Sequence, residues 1–302
     1  MSGNKFNSDL RHQELPHAIE LARAAGAAAL KFYGGPLTIE RKSGGMDEPV
    51  TQADHAANDI IVSGLRRLYP ADGLLSEESV DTDERLRAHR VWIIDPLDGT
   101  SGFIDGNDDF AVQIGLAIDG ECALGVLYLP VNDLLYWAVK GAGSWVIRPK
   151  RAEPERLSVS AKTEISKMRL AASRSHRSPR MDRVVKEFGF REELRRGSVG
   201  VKIGLIVEQR CDIYIHLSPR TKQWDTCAPQ IVLQEAGGIF TDLFGQPLSY
   251  NTPDVQNHNG LVASNGRAHN HIIENLQPLS PILAVSGLSK PAHPKKRIDW
   301  PI

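Results

Sequence analysis

Two carboxylates and a hydroxyl fall within one hexapeptide, Asp95-Pro96-Leu97-Asp98-Gly99-Thr100, directly after the apolar run Val91 to Ile94. A buried strand ending in a Pro/Gly turn would deliver all three groups to one place. Asp, Pro and Gly are also the commonest residues of exposed turns, so the hexapeptide alone stays open to that plainer reading. Two acids this close repel each other unless a cation lies between them. Matching acids stand elsewhere: Glu77 and Glu78 in Leu75-Ser76-Glu77-Glu78-Ser79, and Asp225 in Trp224-Asp225-Thr226, whose apolar continuation ends at Gly237-Gly238. Glu77, Asp95, Asp98 and Asp225 make an all-oxygen set, which suits a hard cation such as Mg²⁺ better than zinc. Glu78 reads equally well as a solvated neighbour of Glu77.

Elements able to position these groups are legible around them. Ile19, Ala22, Gly26, Ala29, Leu30 and Tyr33 share one face at helical spacing, and Gly34-Gly35-Pro36 ends that helix. The basic loop Arg41-Lys42-Ser43-Gly44-Gly45 leads into a second helix that buries Ala57, Ile61, Leu65 and Leu68, with Asp54 at its start as an ordinary N-cap. Val112, Ile114, Leu116 and Ile118 alternate with Ala111, Gln113, Gly115 and Ala117, and turns at Asp119-Gly120 and Val131-Asn132-Asp133 separate the later runs. A meander of antiparallel strands to Arg148 follows. Pro149 to Arg156 reads as a polar linker.

Beyond it, a strand over Arg169 to Ala172, a helix over Met181 to Phe188, the turn Gly197-Ser198-Val199-Gly200, an apolar helix carrying Lys202 and a strand over Asp212 to His216 alternate as in an α/β layer. The organisation expected is an N-terminal α+β half over 1–155, a C-terminal α/β half over 156–277 and a peripheral tail over 278–302. The Lys295-Lys296-Arg297 run in that tail is weak ground for a nucleic-acid role.

Composition bounds the function without choosing it. A chain of 302 residues with 41% hydrophobic content can bury a substantial core. Its net charge of -1 offers no global attraction to nucleic acid or an anionic membrane, so any phosphate affinity must be local. No stretch reaches the length of an apolar membrane span, and Ala22 to Leu30 follows too many polar residues to be a signal-peptide core. Cys122, Cys211 and Cys227 lack metal-ligand spacing and read as reduced thiols of a cytoplasmic protein.

The acid pair, Asp-Pro-Leu-Asp-Gly-Thr, and Trp-Asp followed by Gly-Gly, in this order and spacing, resemble the inositol monophosphatase superfamily of metal-dependent, lithium-sensitive phosphatases. The resemblance runs from about residue 15 to residue 275. It implies an α/β (α+β) fold, a layered αβαβα sandwich. It implies that Glu77, Asp95, the Leu97 carbonyl, Asp98 and Asp225 hold two or three Mg²⁺ ions against one phosphate. It also implies that Asp54 accepts the Thr100 hydroxyl proton, that Thr100 and Glu77 act on the attacking water, and that a water near Asp225 protonates the departing alkoxide. Backbone amides around Gly99, Thr100 and Ser101 would add anion-binding donors.

Within that superfamily, Leu75-Ser76-Glu77-Glu78-Ser79, Ser173-Arg174-Ser175-His176 and Ser218-Pro219 through Pro229 are most similar to the 3'(2'),5'-bisphosphate nucleotidases, the PAP phosphatases of sulfur metabolism. The resemblance implies that His176 and the Gly197, Ser198 and Lys202 segment line a nucleotide. Lys202 is otherwise a helix-surface cation and His176 a loop histidine. The chain departs from the pattern at Ser101-Gly102-Phe103, which offers no lysine, and at His216, where some relatives have arginine. The expected activity is therefore Mg²⁺-dependent hydrolysis of the 3'-phosphate of 3'-phosphoadenosine 5'-phosphate (PAP), with its phosphosulfate PAPS as a second substrate. The alternative is an inositol monophosphatase or broad sugar-phosphate phosphatase. The expected partner is a small phosphate ester, an adenosine bisphosphate first, with no nucleic acid polymer, in a monomer or homodimer.

Overall fold

Alternation along the strands decides the layering. A computed structural model describes residues 10, 12–41, 49–151, 153–174 and 177–277. In strand β4 (Arg90–Asp98), Trp92 and Ile94 point into one apolar cluster while Val91 and Ile93 point into another. Successive strand residues face opposite sides, so a strand buried throughout must have a layer on each face.

On the first face lie helices α1 (Glu14–Leu30) and α2 (Gln52–Leu68). The α1 stripe is Leu15, Ala18, Ala22, Ala25 and Ala29, rotated slightly from the expected one, with Ile19, Leu30 and Tyr33 half-buried at its edge. In α2, Ala57, Ile61 and Leu65 are buried as the spacing predicts, while Leu68 is half-buried at the fraying end.

Strands β1 (Ile39–Arg41) and β2 (Pro49–Thr51) pair antiparallel ahead of α2. The sheet between is seven-stranded, β3 (Gly73–Ser76), β4, β5 (Ala111–Ile118), β6 (Glu121–Leu129), β7 (Leu134–Val139), β8 (Ser144–Ile147) and β9 (Glu155–Arg156), in that spatial order. β3 and β4 run parallel and the rest is the antiparallel meander read from the sequence. β9 differs from the expected linker. Glu155 and Arg156 pair with Val146 and Trp145, so the polar segment closes the sheet edge.

On the second face, helices α5 (Val199–Val207) and α6 (Gln223–Glu235) are sandwiched between the seven-stranded sheet and a five-stranded one. α6 lies so close that a Cβ at Gly125 would sit 2.5 Å from Ile231 Cγ2 and 2.7 Å from the Ala228 carbonyl. Only glycine permits that approach. The second sheet has the order β11 (Glu192–Arg196), β10 (Arg169–Ser173), β12 (Ile213–His216), β14 (Leu261–Ser264), β13 (Ile239–Thr241). β10 runs parallel to both β11 and β12. Leu170 and Ala172 of β10 and Ile213 and Ile215 of β12 pack under α4 (Pro179–Phe188) and α7 (His269–Leu276) on the outer face. Helix, sheet, helix, sheet, helix gives the layered αβαβα sandwich. The tail over 278–302 lies outside the described residues.

Candidate active site

The cavity that matters opens where β4 loses its register. Asp95 pairs with Gln113 and Asp98 with Ala111, so Pro96 and Leu97 on β4 oppose Val112 alone. This one-residue bulge re-aims the strand end, and it replaces the expected strand-then-turn with a strand that stays buried through Asp98. The Leu97 amide donates to Asp95 Oδ1 at 3.0 Å, and so ties the acid to the bulge. Gly99 follows with φ +101°, and a Cβ there would meet the Asp109 carbonyl at 2.4 Å. The short helix α3 (Thr100–Ile104) starts immediately after it.

Asp95 and Asp98 meet Asp225, brought from the first turn of α6. A carboxylate oxygen from each lies within 4.8 Å of the others. Asp98 is held by three buried donors on Oδ2: Gln113 Nε2, Ser198 Oγ, and the Gly200 amide at 2.8 Å. Asp225 accepts the Lys222 amide at 2.6 Å on Oδ2. Burial pushes the Asp98 carboxyl up, with Glu77 adding to it against the Ser198, Gly200 and Lys202 contacts. Burial also pushes Asp225 well above the usual carboxylate range, helped by the charges of Asp98 and Glu77. Carboxylates raised by one another ionise together only with a cation among them, and an all-oxygen donor set fits a hard divalent ion.

Glu77 lines the same cavity from the end of β3, its amide bonded to the Ile94 carbonyl at 3.2 Å. Glu78 is half-buried and outside the lining.

Thr100 Oγ1 lies 2.9 Å from Asp54 Oδ1 and 3.2 Å from the Leu97 carbonyl. The N-cap of α2 is Thr51, not Asp54 as the sequence suggests. Asp54 is the third helical residue, and its Oδ2 accepts the Thr51 amide at 2.8 Å and the Thr51 hydroxyl at 2.6 Å. This capping box uses one carboxylate oxygen and leaves the other for Thr100. Burial raises the Asp54 carboxyl, opposed by its bonds to Thr51 and Thr100.

The residues expected around a nucleotide separate. Gly197 lines the cavity together with Gly99, Thr100 and Ser101. Ser198, fully buried, lies behind Asp98 and caps α5 by accepting the Val201 amide at 3.1 Å. Lys202 is not a surface cation: it is 2% exposed, Nζ donates to the Gly197 carbonyl at 2.7 Å, and it stands 4.9 Å above the Tyr214 ring. Burial lowers its pKa to about 8, against the charges of Asp98, Asp109 and Asp225. His176 lies outside the described residues.

Asp105, Asn107, Asp109, Arg174, Tyr214, His216, Arg220 and Thr221 also line the cavity. Sequence reasoning missed Gln113, hidden in an alternating strand, and Asp109, whose only signal is an acid-rich loop just beyond the hexapeptide.

The model of the inositol monophosphatase family matches residues 11–280. The chain belongs to the inositol monophosphatase family. Members of this family are metal-dependent, and the Asp95, Asp98 and Asp225 cluster is a group that could hold the ion. Among curated relatives, the "3'(2'),5'-bisphosphate nucleotidase CysQ" of Escherichia coli K12 is 35% identical over 241 residues, 78% of this chain and 93% of the relative. The "Nus factor SuhB" of Salmonella typhimurium 14028s is 30% identical over 275 residues, 88% of this chain and 96% of the relative. The crystal structure of CysQ from Bacteroides thetaiotaomicron superposes with a TM-score of 0.71 at 29% identity, covering 84% of this chain and 98% of that one. No helix among the described residues is long and apolar enough to cross a membrane.

Proposed function

We propose that this family member is a phosphoric monoester hydrolase that removes the 3'-phosphate of a 3'(2'),5'-bisphosphate nucleotide, converting PAP to AMP and phosphate and accepting PAPS as a second substrate. The observation that carries the reading is a cavity with two unlike ends. Asp95, Asp98 and Asp225 converge in a cavity that Thr100 also lines, the acid end; Arg174 and Arg220 line the same cavity and form its cationic end, with Lys202 buried near Asp98, Asp109 and Asp225. The 35% identity to the E. coli nucleotidase supports the same choice.

Glu77, Asp95, Asp98, Asp225 and the Leu97 carbonyl would hold two or three Mg²⁺ ions. Bound there, they neutralise phosphate charge and lower the pKa of water. The protein's own groups do the rest. Asp54, raised by burial, takes up the Thr100 hydroxyl proton along their 2.9 Å contact, so that Thr100 Oγ1 and Glu77 orient the attacking water. Amides of Gly99, Thr100 and Ser101 offer donors to phosphate oxygens. Asp225 orients the water that protonates the departing 3'-alkoxide. Lys202, buried beside Gly197, offsets substrate charge from behind.

Two halves meeting at this cavity, over 1–155 and 156–277, and a cytoplasmic setting with three reduced thiols go with the reading. Chromatographic analysis of PAP turnover tests it. AMP and phosphate are the expected products; adenosine 3'-monophosphate as product contradicts it.

A further inference from the structure

The cationic end of the cavity is built around one carboxylate. Asp109 is 3% exposed, yet Arg174 Nε lies 2.7 Å from its Oδ2 and Arg196 Nε 3.3 Å from its Oδ1. The two guanidiniums come from the C-terminal ends of adjacent parallel strands, β10 and β11. Ligands of open α/β sheets bind outside the carboxyl ends of strands, and Arg174 lines this cavity.

Charge does not balance there. Arg174 Nη2 reaches the Arg195 carbonyl at 3.4 Å, Arg196 Nη1 the same carbonyl at 2.8 Å, and Lys202 Nζ the Gly197 carbonyl at 2.7 Å. Three cations are thus gathered on the 195–197 segment; Lys202 also faces Asp98 and Asp225, whereas Arg174 and Arg196 share Asp109 as their one carboxylate among the described residues. The side chains of Arg174 and Arg196 remain 45% and 32% exposed; Arg174 lines the cavity, and Arg196 reaches it through the Asp109 carboxylate that both share. A substrate with a single phosphate satisfies the acid end and gives this excess nothing to bind. A substrate with a second phosphate supplies the missing anion, and planar guanidiniums match phosphate geometry.

We propose that Arg174 and Arg196 bind the non-scissile phosphate of a nucleoside bisphosphate, with Asp109 as the positioning residue that aims both. This rests on the nucleotidase reading and assigns residues to it. Asp109 suits the role because its backbone is fixed against the reacting end: its carbonyl lies within 2.4–3.2 Å of where a Cβ would stand on Gly99, Gly102 or Gly197. Spacing between the scissile and non-scissile phosphates is therefore set by one loop.

The test is the ratio of kcat/KM for PAP to that for adenosine 3'-monophosphate, which keeps the scissile ester and lacks the second phosphate. Wild-type protein is expected to favour PAP by a hundredfold or more. Arg174→Ala and Arg196→Ala should each lower the ratio at least tenfold, the double variant should bring it near one, and Arg174→Lys should fall between. Asp109→Asn should lower the ratio through KM for PAP more than through kcat. A wild-type preference that survives the double variant, with its melting temperature intact, overturns this assignment alone. A wild-type ratio near one overturns the assignment and the nucleotidase reading together.

Discussion

The acid end of the cavity and its cationic end hold their side chains by different means. Asp98 is fixed by three buried donors on one carboxylate oxygen and Asp54 by a capping box, so both carboxylates are held in place before any ligand arrives. Arg174 and Arg196 are half-exposed side chains steadied by a single buried partner. Reaction geometry tolerates little movement, whereas charge recognition at a rim tolerates more. Substitutions at the first end should slow the reaction on every substrate, and those at the second should redistribute substrate preference.

Asp225→Asn breaks the acid end most completely. It should cost on the order of a thousandfold in kcat/KM, about 4 kcal/mol, through loss of an ion ligand. In chelator-treated protein the same change should raise the melting temperature, because burial and the charges of Asp98 and Glu77 push this carboxyl up and the ionised form is a strain on the fold. The folded-state pKa lies above the unfolded one, so the destabilisation grows as pH rises past the usual carboxylate value. Paired melting and rate measurements on the one variant check both signs.

Thr100→Ala and Asp54→Asn remove the same hydroxyl-to-carboxylate contact and should each cost about a hundredfold in kcat. The double variant should lose little more than either single one, which a double-mutant cycle measures. Ser198→Ala takes one of three donors from buried Asp98. A loss of roughly 1–3 kcal/mol in stability and about tenfold in kcat/KM is expected, read by chemical denaturation and initial rates.

Outside the cavity lining, His269 at the start of α7 is buried between Thr241 and Ser264, and burial lowers its pKa to about 4. Between pH 6.5 and about 4 the unfolded chain binds a proton that the folded one refuses. Stability attributable to this group is therefore full above pH 6.5 and falls by at most roughly 3 kcal/mol on the way to pH 4. His269→Gln should flatten that limb of the melting profile and leave turnover at neutral pH unchanged.

The acid end was the more legible in sequence because its residues are contiguous or anchored to helix starts. The hexapeptide, Glu77 and Trp224-Asp225 carry distinctive types at short spacing, and apolar alternation in β4 and β5 fixes which way they face. The bulge was not legible, since Pro96 looks the same in a turn as in an irregular strand. The resemblance points to Ser198 and Lys202, but their depth is not legible: Ser198 reads as a turn residue and Lys202 as a helix-surface cation until packing on Asp98 and Tyr214 buries them. The cationic end was least legible. β11 is a polar edge strand without alternation, and Asp109 meets its arginines across 65 and 87 residues of sequence, a pairing only the fold creates.

The most direct test of the central claim compares kcat/KM for phosphate release with Mg²⁺ from PAP and from myo-inositol 1-phosphate under identical conditions. A preference for the nucleotide of a hundredfold or more, roughly 3 kcal/mol of differential transition-state stabilisation, is the result predicted by a cavity with an acid end and a cationic end. Preference for the inositol ester would leave the acid end its chemistry and contradict the nucleotidase.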